Sequence, residues 1–127
     1  MIHFKRFDHV QICIPKGAED EARKFYTDII GLKEKPKPQS LIANGGIWYQ
    51  VADVELHLSV ETPMVNTRRH PAFEIEDVAA ARKLLENIVE IKDEPVIPGR
   101  VRFSFIDPFG NKLELLQITD PTIDYSI

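Results

Sequence analysis

The chain predicts an α+β fold of two tandem β-α-β-β-β modules, their strands forming a curved mixed sheet around a cleft and their helices covering its outer face. Three observations carry that prediction. Short segments alternate apolar and polar residues at the period of half-buried strands. Two longer segments carry apolar stripes at helical spacing. The order strand, helix, connector, strand, strand then occurs twice, with matching residues at a nearly constant offset. One module of about sixty residues closes no core of its own, whereas two together do. The 127 residues therefore read as a single domain, 1–127, with module 1 at about 6–60, a linker at 61–67, module 2 at about 68–118 and a tail at 119–127.

Residues 7–14, FDHVQICI, open module 1 as a strand in which Val10, Ile12 and Ile14 alternate with His9, Gln11 and Cys13. Pro15 and Gly17 end it. A helix follows over 18–30, where Ala22, Phe25, Tyr26, Ile29 and Ile30 share one stripe. Its first turn carries Glu19, Asp20 and Glu21, which the helix dipole favours, and Gly31 closes it. KEKPKPQS at 33–40 is a polar connector whose Pro36 and Pro38 exclude a central strand. Asn44-Gly45-Gly46 signals a tight turn into a strand at 47–52, and Asp53 turns the chain into VELHLSV at 54–60. There Val54, Leu56, Leu58 and Val60 alternate with Glu55, His57 and Ser59.

Module 2 begins with a strand at 68–76, RRHPAFEIE, and a helix at 77–88 with Asp77 as N-cap. Val78, Ala81, Leu84, Leu85 and Ile88 form the stripe expected to be buried. KDEPVIPG at 92–99 is a connector, followed by a strand at 101–107. DPFG is a turn in which Pro108 sets φ and Gly110 permits a positive one. A last strand runs over 111–118, and the tail carries no periodic signal.

The repeat holds residue by residue. EARKFYTDI at 21–29 matches AARKLLENI at 80–88 with an offset of 59, and the same offset lays Glu55 over Glu114. The first strands align with an offset of 61, which places His9 over His70. The aliphatic faces, Val10/Ile12, Leu56/Leu58, Phe73/Ile75 and Leu113/Leu115, must meet the helices. The opposite faces then point into the cleft.

Composition narrows the function classes. A net charge of −4 argues against a dedicated nucleic-acid binder, which would neutralise phosphates with basic residues. No apolar run reaches the eighteen or so residues that span a bilayer, so no membrane partner is expected. The start, MIHFKRFDHVQI, lacks a signal-peptide pattern, and the single cysteine, Cys13, allows neither a disulfide nor a thiolate zinc cage. A cytoplasmic protein is expected.

Under the repeat, His9 and Glu55 from module 1 converge with His70 and Glu114 from module 2. Two imidazoles and two carboxylates suit a divalent metal such as Zn, Ni, Fe or Mn, and open coordination positions would admit substrate or water. Trp48 and Gln50 share the cleft side, and Tyr49 takes the helix side. Arg102, with Arg68, Arg69 and Arg100, could clamp an anionic substrate.

The paired modules, with DHVQI at 8–12, HPAFEIEDV at 70–78 and DPFGNKLEL at 107–115, resemble the glyoxalase/bleomycin-resistance/dioxygenase superfamily, also called vicinal oxygen chelate, over about residues 7–118. The resemblance implies His9, His70 and Glu114 as metal ligands, and its bacterial glyoxalase I branch implies Glu55 as a fourth. Two positions depart from the family pattern. Pro71 stands where a β-branched residue is common, and His57 shares the face of Glu55, either as its replacement or as its neighbour.

The implied function is a metal-dependent lyase or isomerase acting on a small vicinal-oxygen substrate, with Glu55 or Glu114 as proton-transfer base. Trp48, Gln50, His57 and Arg102 are the substrate-binding candidates. An Fe(II) ring-cleaving dioxygenase and a metal-free drug-binding protein are the alternatives on the same fold. A homodimer is expected, because such modules often complete their clefts across a subunit boundary.

Overall fold

The computed structural model describes residues 1–62 and 67–126. The chain forms two compact units, Met1–Pro63 and Met64–Ile127, each with its own four-stranded mixed sheet. Most of the linker expected at 61–67 lies outside the described residues. Among those described, no helix is long and apolar enough to cross a membrane.

In the first unit, β1 (His9–Ile14) leads into α1 (Glu19–Arg23), a π-helical turn at Lys24–Ile29, the short strand β2 (Lys33–Lys35), a 3₁₀ helix at Gln39–Asn44, then β3 (Ile47–Val51) and β4 (Val54–Val60). The sheet order is β1-β4-β3-β2, with β1 parallel to β4 and the other pairs antiparallel. Ile12, Ile14, Leu56, Leu58, Ile47 and Tyr49 are buried from the strands, and Ala22, Phe25 and Tyr26 from the helical segment. The Tyr26 and Tyr49 rings lie 6.0 Å apart, and Thr27 Oγ1 is 2.9 Å from the Tyr49 hydroxyl. These contacts tie helix to sheet on the face opposite Trp48.

The expected single helix at 18–30 changes character at Lys24. Ile30 N–H donates to Phe25 O, an i→i+5 bond that widens the turn. Adjacent Phe25 and Tyr26 are both buried.

The second unit runs β5 (Ala72–Glu74), α2 (Val78–Leu85), β6 (Glu90–Asp93), β7 (Arg100–Ile106) and β8 (Lys112–Ile118), in sheet order β5-β8-β7-β6. Asp77 caps α2 by accepting from Ala80 N–H at 3.0 Å. Val78, Leu85, Phe103, Phe105 and Leu113 are buried, and Val78 N–H donates to Gln117 Oε1 at 3.0 Å to fix the helix on β8. Asp107 Oδ1 accepts from Phe109 and Asn111 N–H at 2.9 and 2.8 Å, and Gly110 has φ +97°, so DPFG is the turn expected.

Three expectations are corrected. The connectors at 33–40 and 92–99 conceal parts of edge strands, β2 and β6, which are polar because an edge needs little burial. The strand expected over 68–76 is only Ala72–Glu74, because Pro71 has no N–H to extend the ladder. Leu84 and Ile88 are 51% and 47% exposed rather than buried: the buried residues of α2 are Val78 and Leu85, and Ile88 lies beyond the helix end. The tail, which carries no periodic signal, is tied to the chain ahead of β7. Thr119 and Asp120 N–H both donate to Gly99 O, and the Tyr125 hydroxyl donates to Pro98 O.

One glycine is required by close approach. A Cβ on Gly46, at φ +85°, would stand 2.2 Å from Leu58 O. The turn from the 3₁₀ helix into β3 depends on it.

Candidate functional site

Module 1 presents a polar sheet face built by ladder register. His9 is level with Glu55, and Gln11 with His57 and Trp48 in one row across β1, β4 and β3. Alternation sends all of them to the side away from Tyr26 and Tyr49. His57, 6% exposed, is sandwiched between two rings: its centroid is 4.1 Å from that of His9 and 4.0 Å from that of Trp48, with interplanar angles of 15° and 2°. Its Nε2 lies 3.0 Å from Glu55 Oε1, and Lys35 Nζ lies 2.5 Å from Glu55 Oε2. His57 thus positions the carboxylate and the first imidazole together.

That environment acts on Glu55. The hydrogen bond from His57, then the Lys35 ammonium, lowers its carboxyl from 4.5 to about 2. A carboxylate held below its unfolded value stabilises the fold above about pH 4.5 and loses that contribution as pH falls toward 2. Melting temperature is therefore expected to drop over that window, and to drop less in Glu55→Gln. Equal slopes for the two proteins would show the carboxylate to be unperturbed.

Behind His9 stands Asp8, which sequence reasoning did not single out although it adjoins the histidine. Its Oδ2 lies 2.8 Å from His9 Nδ1, and its Oδ1 accepts from Arg6 at 2.9 Å. The His9 hydrogen bond is the main cause holding the Asp8 carboxyl below its ordinary value. An ionised Asp8 can only accept, so Nδ1 donates, and in the neutral ring Nε2 carries the lone pair.

Module 2 carries a comparable group. His70 Nδ1 lies 2.8 Å from Arg68 O and must donate, because a carbonyl only accepts. In the neutral ring Nε2 then bears a lone pair. It faces Glu114 Oε1, another acceptor, at 3.2 Å. Two lone pairs at that distance need a cation between them, a proton or a metal ion. Glu114 is 6% exposed, and Arg102 Nη1 donates to the same Oε1 at 3.1 Å. The second Arg102 nitrogen, Nη2, donates to Pro95 O at 2.8 Å, and its Nε is buried without a partner.

The repeat is not followed by the ladder. His9 is level with Glu55, but Ala72, not His70, is level with Glu114. His70 stands two residues ahead of Ala72 and reaches its glutamate from outside the strand.

The structure therefore brings His9, Glu55, His57 and Trp48 together in module 1, and His70, Glu114 and Arg102 in module 2. Gln50 is used otherwise: its amide donates to Ala52 O and Val54 O at 2.7 and 3.0 Å, locking the β3–β4 hairpin. Cys13 sits 3.4 Å from Glu61 Oε2, and burial pushes its thiol up, away from reactivity.

Each half supplies donors of the kind that suit a divalent ion. Both histidines present Nε2 with Nδ1 anchored by a carboxylate or a carbonyl, the arrangement that orients imidazole ligands. Glu55 fits less freely, because Lys35 competes for it. Among the described residues, no group of three or more His, Cys, Asp or Glu side chains forms a ready metal site.

An open pocket of about 510 Å³ lies against the module 1 face, lined by Trp48, His9, His57, Lys37, Leu41 and Asn44 among others. Lys37 was read as part of the connector and Asn44 as part of a tight turn, with no periodic signal to mark either as lining a site.

Comparison with known proteins supplies the family. The model of the Glyoxalase/Bleomycin resistance protein/Dioxygenase superfamily matches residues 6–115. A glyoxalase family protein from Bacillus anthracis is 36% identical, with a TM-score of 0.84 over 93% of this chain and 98% of its own. A glyoxalase/dioxygenase from Nostoc punctiforme is 23% identical, with a TM-score of 0.73 over 91% and 92%. The fosfomycin resistance protein FosX from Listeria monocytogenes, in complex with Mn(II) and sulfate, is 17% identical, with a TM-score of 0.73 over 89% and 90%. These last two show the fold alone. Among curated proteins nothing matches. With nearly nine-tenths of its length under the family model and a relative more than one-third identical, the chain belongs to the glyoxalase/bleomycin resistance protein/dioxygenase superfamily.

Proposed function

We propose that this protein is a divalent-metal-dependent lyase or isomerase of the glyoxalase type, acting on a small vicinal-oxygen substrate. The observation that carries the reading is the pair of facing acceptors, His70 Nε2 and Glu114 Oε1 at 3.2 Å. His9 Nε2 and Glu55 are the donors proposed from module 1. The ion, when bound, would supply Lewis-acid polarisation of a substrate oxygen. Everything else falls to the chain's own groups. Asp8 and the Arg68 carbonyl hold the imidazoles in the required tautomer. Glu55, lowered to about 2, is a poor proton acceptor near neutrality and serves as a fixed negative charge. Proton transfer then falls to Glu114, whose Oε1 faces His70 and accepts from Arg102 and whose Oε2 has no hydrogen-bond partner among the described residues. A small-molecule substrate, a homodimer and a cytoplasmic setting belong to the same reading.

A second reading has one observation in its favour. Lys35 on Glu55 and Arg102 on Glu114 balance both carboxylates without any ion. That suits a metal-free small-molecule binder. Metal analysis of tag-free protein decides between them. The enzyme reading expects about one equivalent of metal, and a rise in melting temperature on adding Zn, Ni, Mn or Fe(II). Metal below about a tenth of an equivalent, with no shift for any of the four ions, would leave the binding reading.

A further inference from the structure

We propose that the module 1 pocket takes a small organic anion, with Lys37 recognising its charge. The inference rests on the proposed function only in taking that ligand to be the substrate; the recognition itself needs no metal.

A volume of about 510 Å³ is that of a small-molecule site. Its two carboxylates are already matched. Asp8 pairs with Arg6 at 2.9 Å, and Glu55 with Lys35 at 2.5 Å. Lys37 is different. Its ammonium donates to the Gly45 carbonyl, and among the described residues it makes no ion pair. The Glu19 carboxylate also stands near Gly45, with one oxygen buried and no hydrogen-bond partner for it among the described residues. Among the residues that line the pocket, Lys37 is the one ammonium, and neither lining carboxylate pairs with it. Gln11, Asn44 and Ser59 add side-chain donors that none of the described residues engages. Leu41 and Trp48 offer apolar surface for the body of the ligand.

Lys37 is also held ready. It stands between Pro36 and Pro38, so its backbone is confined to extended conformations, and Pro38 itself is extended at φ −54°, ψ 142°. Little ordering remains to be done on binding. A cationic ligand would instead have to displace Lys35 or Arg6 from its carboxylate.

Isothermal titration with phenylphosphonate, benzoate, benzamide and benzylammonium tests this, using EDTA-treated protein and protein titrated with Mn(II). The two anions are expected to bind in both preparations, with benzamide and benzylammonium weaker by about 10-fold or more. Lys37→Gln should weaken the anions by about 10-fold or more, and Lys37→Arg should restore them, while Mn(II) binding is unchanged in both variants. Trp48, the one tryptophan, should report the same binding by its fluorescence. Equal binding of benzylammonium, or anion affinity indifferent to Lys37→Gln, overturns the proposal. Anion binding that requires Mn(II) and ignores Lys37 overturns it too, by assigning the anion to the ion. Lys37-dependent anion binding in a protein that takes up no Mn(II) sustains it while the metalloenzyme reading fails.

Discussion

Glu114→Gln and His70→Ala are each expected to weaken divalent-metal binding by about 100-fold or more, beyond the 10–100-fold typical of outer hydrogen-bond partners. The glutamine is chosen over alanine for a physical reason. Arg102 and Glu114 are 17% and 7% exposed as side chains, and removing one partner of so enclosed a pair costs about 3–5 kcal/mol. Gln keeps the volume and can still accept from Arg102 Nη1. Asp8→Asn removes the negative charge behind His9, together with the Arg6 ion pair, and is expected to cost about 10–100-fold. His57→Ala should retain metal, because the ring touches Glu55 and His9 and is not itself placed as a ligand. The readout is Mn(II) or Zn titration on each folded variant, with thermal melting as the folding control. Unchanged affinity in both Glu114→Gln and His70→Ala would remove module 2 from the donor set.

Phe103→Ala should cost about 3–5 kcal/mol, the largest stability effect expected of a single truncation here. The side chain is 0% exposed, and the Arg82 guanidinium stands 5.2 Å from its ring centroid. Both the buried area and that cation contact are lost together, and the void cannot be filled by a backbone held in the β7–β8 ladder. The melting temperature should fall by roughly 10–25 °C. Leu84→Ala, at a position the helical stripe marks as core, should stay within about 0.5 kcal/mol because that side chain is half exposed. A large Leu84 effect would mean that its face of α2 is covered in solution, by a second copy for instance.

Much of the fold was legible because periodicity reports one-sided burial. β1, β4, β7 and β8 each pack one face on an apolar layer, and each was marked by alternation. The edge strands β2 and β6 are too short and too polar to leave that mark. The widened turn at Lys24–Ile29 was equally silent, since a run of buried aromatics fits an α-helical stripe nearly as well. Of the candidate site, His9, Glu55, His70 and Glu114 stood out by residue type and by the repeat. Lys35 and Lys37 did not, being two lysines in a proline-bearing polar stretch.

The sequence by itself determined the family, the doubled β-α-β-β-β order and the chemistry available on each polar face. Those follow from residue type and local spacing. Tertiary structure decided how each of those groups is engaged. Lys35 reaches Glu55 across 20 residues and Arg102 reaches Glu114 across 12, so their ion pairs depend on strand register that no local pattern contains. The tautomers are decided in the same way, by whichever acceptor the fold sets against Nδ1. His57 shows the difference most plainly: a polar residue on a strand face becomes, once β1 and β3 flank it, a ring stacked between two others with its nitrogen on Glu55.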